Sequence, residues 1–500
     1  MQPPLYLPWA ERAAGVWLHP TCLPGMQGIG SLGIETHYFI DFLKASGFKY
    51  WQVCPLGPTG YGDSPYQTFS AFAGNPYCID LQDLQNQGFL HPSEWECLKT
   101  LPTHRVDFGR LYPLFYPILK KACQRFFDQQ QLPDSWFAFI ELHAAWLEPY
   151  VAFRALKTHF NGEPWWQWPT PAQQPASASP YLESLQEEMD FWRFCEYMFH
   201  TQWQKVRAYA HRQGIQIIGD IPIFVAEDSA DVWAFRSIFE CDKQGLPISQ
   251  AGVPPDYFSP LGQLWGNPLY NWDVLKQNGY RWWLQRIQKN LNLFDVIRFD
   301  HFRGFAACWR VEKNALDARQ GRWIDGPGFH FFQAVQQAYP HARLIAEDLG
   351  DITPDVKALL AATGLPGMAI LQFAFGGGSK NIYLPHHHMA NQVVYPGTHD
   401  NDTSLGWYEK APEATRDHLR RYLRVDGQLV AWDLIRCVLS SPANLALISL
   451  QDLLSLGSDA RMNTPGQPQG NWQWRYQKHQ LEDLAKSSCT YLKQLNELYR

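Results

Sequence analysis

Eight short apolar, β-rich runs recur along the chain, and each ends in polar positions. They are residues 15–20 (GVWLHP), 49–57 (KYWQVCPLG), 215–223 (IQIIGDIPI), 294–300 (FDVIRFD), 342–350 (ARLIAEDLG), 367–373 (GMAILQF), 392–401 (QVVYPGTHDN) and 444–452 (NLALISLQD). Continuous apolar runs of this length suit strands covered on both faces, as in a parallel sheet. Three of them follow a helical pattern and a glycine: YFIDFLKASGFKYWQV, QKVRAYAHRQGIQIIGD and DVKALLAATGLPGMAIL, with Gly47, Gly214 and Gly364 as helix stops. Repeated helix–glycine–strand units predict an α/β fold with a parallel sheet, and eight strands predict a (β/α)₈ TIM barrel.

The spacing is uneven. About 160 residues separate the second and third runs, including PTPAQQPASASP near Pro169 to Pro180. Residues 75–210 are expected to form a mostly helical insertion with one flexible loop. A second insertion, 224–292, is rich in Gly, Pro, Trp and Tyr. Neither has a linker at both ends, so residues 1–500 are expected to be one barrel unit with both insertions packed on its mouth.

In such a barrel the chemistry lies at the C-terminal ends of the strands. Those ends carry Asp220, Asp300, Glu347 with Asp348, His399 with Asp400, and Asp452. A single acid is usually a solvated or ion-paired surface group. Several acids on one rim repel one another, which points to metal binding or acid–base chemistry. Oxygen ligands would suit magnesium or calcium. However, AFGGGSK lacks the spacing of a phosphate loop, and no metal or cofactor is expected. The run His386 to His388 is expected as a polar loop, because three consecutive histidines cannot face one point in regular structure.

Composition narrows the choice. The net charge is −6 with no basic block, which disfavours nucleic acid. No uninterrupted apolar stretch approaches a membrane span, and MQPPLYLPWAERAAG is a poor signal peptide. Ten scattered cysteines without a C-x-x-C pair fit a reducing cytoplasm. Nothing indicates an obligate protein partner. The 22 Trp residues either fill a large core or offer flat faces to sugars. Carboxylate pairs with many aromatics suggest glycoside chemistry, which needs a proton donor and a second carboxylate across the anomeric carbon. Arg298 and Asp300, two apart on a strand, point the same way, so Arg298 should hold Asp300 ionised as a nucleophile. Glu347, after the apolar RLIA, should be desolvated enough to keep its proton.

Long motifs then identify a family. PLGPTGYGDSPYQTFSAFAGNPY (Pro55 to Tyr77), GDIPIFVAEDSADVW (Gly219 to Trp233) and AGVPPDYFSPLGQLWGNPLYNW (Ala251 to Trp272) are followed by RFDHFRGF, AEDLG, GTHDNDT and RMNTPG. End to end, the chain resembles the amylomaltases, the 4-α-glucanotransferases of glycoside hydrolase family 77 in the α-amylase superfamily. The resemblance implies transfer of 1,4-α-glucan segments between maltooligosaccharides, in starch, glycogen or maltose metabolism. By resemblance, Asp300 is the nucleophile, Glu347 the general acid/base and Asp400 the third acid that grips the reacting sugar. Arg298 and His399 support that sugar, and Asp220 is expected to be buried and hydrogen-bonded beneath the site.

The resemblance further makes residues 252–268 a loop over the substrate, with Asp256, Tyr257, Phe258, Gln263 and Trp265 as sugar contacts. Tyr61 and Phe373 are wall or stacking residues, although Phe373 also suits core packing, and Asn463 and Asn471 are acceptor contacts. NIYLPHHH departs from the family's N-P-Y-L-P-H through Ile382, which bears on substrate preference rather than reaction. A retaining mechanism implies carboxyl groups of Asp300 and Glu347 about 5–5.5 Å apart. The remaining alternatives are an α-glucan hydrolase of the same fold and a non-catalytic glucan-binding protein.

Overall fold

The computed structural model describes residues 3–255, 259–350 and 352–500. The eight apolar runs all form strands: β1 (Ala13–Trp17), β2 (Tyr50–Gln52), β3 (Gln216–Ile221), β4 (Val296–Phe299), β5 (Leu344–Ala346), β6 (Gly367–Ile370), β7 (Gln392–Tyr395) and β8 (Leu445–Ser449). Every neighbouring pair is parallel, and the sheet runs β6-β7-β8-β1-β2-β3-β4-β5. The Ala346 N–H donates to the Pro366 carbonyl at 3.0 Å, joining β5 to the segment entering β6 and closing the barrel. Apart from Gln216 and Gln392 at strand starts, the strand residues are buried. This explains the absence of alternation in the sequence. The glycine stops follow from backbone geometry: Gly47, Gly214 and Gly364 have φ of 79°, 77° and 75°, where a side chain would be strained.

The connection between β2 and β3 carries the helices Phe108–Phe127, Asp134–His159 and Gln186–Arg212. The segment after β3 contains a feature that the hydrophobic pattern does not reveal. Strands Ser249–Val253 and Gln263–Leu264 join Ala307–Glu312 and Arg322–Asp325, from beyond β4, in a four-stranded antiparallel sheet. Its strands are short and the Gly- and Pro-rich context masks them.

The tryptophans divide unevenly between the two expected uses. Trp51, Trp165, Trp168, Trp203, Trp233 and Trp283 are fully buried, so core filling accounts for many of them. Others, among them Trp166 and Trp265, are half-buried beside a cleft at the C-terminal ends of the strands.

Candidate active site

Strand register builds the site. Asp220 on β3 lies opposite Arg298 on β4, and Phe299 opposite Ala346 on β5. One step further, the ends of β4 and β5 bring Asp300 beside Glu347. Neighbouring strands lie about 4.8 Å apart, so these two acids leave the barrel as lateral neighbours. Backbone bonds hold them there: the Asp300 N–H donates to Ile221 O and the Glu347 N–H to Phe299 O, both at 3.0 Å.

Arg298 is buried, and its Nη1 donates to Asp220 Oδ2 at 2.5 Å and to Asp300 Oδ1 at 3.0 Å. Tyr66 Oη donates to the same Asp220 oxygen at 2.8 Å. Asp220 is 3% exposed and lies under the site as expected. Burial raises its pKa to about 6 against the opposing pull of Arg298, with Asp300 adding to the rise. Arg298 itself is held well above its ordinary value: burial opposes its charge, but Asp220 and Asp300 outweigh that cost. One cation therefore serves two carboxylates, leaving no full charge to neutralise a third.

That third group is Glu347. Its Oε2 accepts the His301 N–H at 2.6 Å and its Oε1 the Leu349 N–H at 3.1 Å. Burial, reinforced by the nearby Asp300 charge, raises its pKa to about 8, although Arg298 and both N–H groups pull it down. The His301 backbone has φ of 50°, a left-handed conformation that costs a non-glycine residue on the order of 1 kcal/mol. This turn, immediately after Asp300, aims the His301 amide at Glu347. Burial lowers the His301 pKa to about 4, so its ring is neutral, and it meets Trp265 edge-on at 4.8 Å.

Opposite these groups, Asp400 is exposed at the rim. Asn463 Nδ2 donates to its Oδ1 at 2.6 Å, Arg461 Nη2 to its backbone carbonyl at 2.6 Å, and His399 Nε2 lies 3.5 Å from its Oδ1. His399 is buried and stacks on Tyr66, with ring centroids 5.0 Å apart and planes at 18°. Asn471 accepts the Thr464 N–H at 2.9 Å and donates to Gln467 O at 2.7 Å, so it shapes the loop that carries Asn463.

A cleft of about 1040 Å³ brings together Asp300, His399, Asp400, Gln263, Trp265, Asn463 and Asn471. Trp265 is held by its Nε1–H to Gln263 Oε1 at 3.2 Å. Phe373, 43% exposed, is not a core residue, and it lies outside this cleft. It faces an adjoining hollow of about 300 Å³ that shares Asp400 with the main cleft. Asp256, Tyr257 and Phe258 lie outside the described residues. Tyr61 begins the short turn Tyr61–Asp63, and its side chain likewise lies outside the description.

Two acids of the expected ring turn away from the mouth. Asp348 accepts the Met368 N–H at 2.6 Å and packs against Gly367, where a side chain would collide with its carboxylate. Asp452 is buried and accepts the Ser404 N–H at 2.7 Å, which anchors the segment after β7. Each serves the backbone, and so a strand-end acid is not by itself a site acid. The histidine run also diverges: His386 and His387 sit in an exposed turn, while His388 is buried between Ser441 Oγ and the Tyr383 carbonyl. Among the described residues no group of three or more His, Cys, Asp or Glu side chains is placed to hold a metal ion.

Sequence reasoning overlooked Tyr66, His301 and Trp472. Tyr66 lies within the Pro55 to Tyr77 motif, but nothing in the sequence ranks it above Tyr61. His301 sits between two recognised residues, and only its left-handed backbone shows what it does. Trp472, also left-handed at φ of 61°, closes on both Tyr66 and His399, with centroids 5.8 and 5.6 Å away.

Known proteins are similar to this chain along most of its length. The chain is 49% identical over 477 residues to a 4-alpha-glucanotransferase of Thermus thermophilus, covering 93% of this chain and 94% of that one. It is 42% identical to a chloroplastic/amyloplastic 4-alpha-glucanotransferase of Arabidopsis thaliana, covering 98% and 86%. An amylomaltase from Streptococcus agalactiae, solved in complex with acarbose, superimposes with a TM-score of 0.94 at 35% identity, covering 98% of this chain and 99% of that one. The 4-alpha-glucanotransferase model of glycoside hydrolase family 77 matches residues 18–481, and the chain belongs to that family.

Proposed function

We propose that this 4-α-glucanotransferase works by a retaining double displacement, with Asp300 as nucleophile and Glu347 as acid/base. The lateral pairing of Asp300 and Glu347 at the ends of β4 and β5 carries this reading. Adjacent strands favour the close carboxyl spacing of retaining enzymes over the roughly 6.5–9.5 Å that an intervening water needs in inverting ones.

In the first step an Asp300 oxygen attacks the anomeric carbon. The bond to the departing 4-oxygen breaks, and Glu347 gives that oxygen its proton. With a pKa raised to about 8, Glu347 is mostly protonated at pH 7. In the second step the 4-hydroxyl of an acceptor glucan enters, and Glu347 removes its proton. The new oxygen attacks the same carbon, and Asp300 leaves as a carboxylate. Two inversions restore the α configuration. Asp400, oriented by Asn463, accepts hydrogen bonds from hydroxyls of the reacting sugar. Donor and acceptor bonds are alike, so no cofactor or energy source is required.

Transfer requires that an acceptor glucan reach the intermediate before water does. Trp265 and Gln263 on the cleft wall favour an acceptor sugar, and the loop 252–268 is the element proposed to cover it. The substrates are α-1,4-glucans and maltooligosaccharides. No helix among the described residues is long and apolar enough to cross a membrane. The ten cysteines, all free thiols, fit action in the cytoplasm. Incubation with maltotriose tests the reaction: a ladder of shorter and longer maltooligosaccharides supports transfer, whereas reducing ends rising with each bond cleaved would make the protein a hydrolase.

A further inference from the structure

The main cleft does not end at the catalytic groups. Away from Asp400 it runs to Trp166 and Glu227, and both residues also line a second hollow of about 420 Å³. The sequence Trp165-Trp166-Gln167-Trp168 is built to display the middle ring. Trp165 is fully buried, with its Nε1–H on Glu227 O at 2.9 Å and the Arg236 guanidinium 4.5 Å from its ring. Trp168 is 2% exposed and donates to Glu163 O at 2.9 Å. Gln173 Nε2 donates to the carbonyls of Trp166 and Trp168 at 3.1 and 2.7 Å. The turn is thus pinned on both sides of Trp166, whose own ring stays half-buried between the two hollows.

Beyond Trp166 the floor is apolar and the edge polar. Leu246 and Ile248 are 37% and 42% exposed, and Asp242, Glu312 and Asn314 stand beside them. Lys313, in the turn just after the antiparallel strand Ala307–Glu312, pairs with Glu227 and ties the far wall to the main cleft. A flat ring and an apolar strip bordered by carboxylates and an amide match a pyranose, which offers a C–H face and a belt of hydroxyl donors.

We propose that this second hollow is a remote binding site for the continuing α-1,4-glucan chain, with Trp166 as the platform on which the chain passes from the catalytic cleft. The proposal rests on the glucan-transfer reading above. It makes the enzyme selective for length: a chain long enough to reach Trp166 gains contacts that maltotriose bound at the acids does not make.

The test compares kcat/KM on amylose with kcat/KM on maltotriose for three proteins: wild type, Trp166→Ala, and the double variant Leu246→Ser/Ile248→Ser. Loss of a stacking platform should lower the amylose-to-maltotriose ratio by about three- to tenfold in Trp166→Ala. The double variant alters only exposed side chains of the outer hollow and should lower the same ratio, so the test stands even if Trp166→Ala folds poorly. An unaltered ratio in the double variant, or an equal loss on both substrates in both variants, overturns the remote site. Failure of the wild type to disproportionate maltotriose would instead overturn the glucan-transfer reading.

Discussion

Replacing Asp300 with Asn should lower the pKa of Glu347, because the Asp300 charge is one of two forces that keep Glu347 protonated. Burial is the larger, and the substitution leaves it in place. At the roughly 5–5.5 Å carboxyl spacing of a retaining pair, two charges at an effective dielectric of about 20 interact by about 3 kcal/mol, equivalent to about two pH units. The Asp300 side chain is 27% exposed, so solvent screens part of this and about one unit is a fair lower figure. The variant also frees Arg298 from one of its two partners, and its attraction then acts more fully on Glu347. Glu347, at about 8 in the wild type, should therefore titrate between about 6 and 7 in Asp300→Asn, still above an ordinary glutamate. Infrared difference spectroscopy of the protonated carboxyl band follows it directly, with Glu347→Gln to assign the band. A Glu347 that titrates near 8 in both proteins would refute the claim that the nucleophile holds the acid protonated.

Glu347 also sets a pH dependence of stability. Its folded pKa lies above its unfolded value, so its contribution is full below about 4.5 and is lost as pH rises through about 8. Glu347→Gln does not titrate there, and the stability difference between variant and wild type should move in the variant's favour by about 4 kcal/mol from pH 5 to pH 9, read by denaturant unfolding. Tyr66→Phe removes a donor from the buried Asp220 carboxylate and should lower stability by about 1–2 kcal/mol in the same assay. Asn463→Ala releases Asp400 from a 2.6 Å charged hydrogen bond, and kcat/KM on maltotriose should fall about 10- to 100-fold with little change in melting temperature.

The barrel was legible because burial on both faces leaves a plain mark, an unbroken apolar run followed by polar residues, and all eight runs became strands. The helix stops at Gly47, Gly214 and Gly364 were legible for the same local reason, since a left-handed turn selects glycine. The pairing of Arg298 with Asp300 followed from their two-residue spacing. Other features depend on partners distant in the chain. Asp348 and Asp452 look like site acids in the sequence, and only the positions of Met368 and Ser404 show that they bind backbone instead. The antiparallel sheet was hidden because its strands come from segments on either side of β4. His301 acts through its amide, which no side-chain pattern records.

The central claim is that sugar is transferred through a covalent bond to Asp300. The most direct measurement treats Glu347→Gln with an α-maltosyl fluoride, whose leaving group needs no acid, and maps the product by peptide mass spectrometry. A maltosyl adduct is expected on the peptide containing Asp300, absent from the Asp300→Asn/Glu347→Gln double variant. An adduct on Asp400, or release of β-configured product with no adduct, would contradict it.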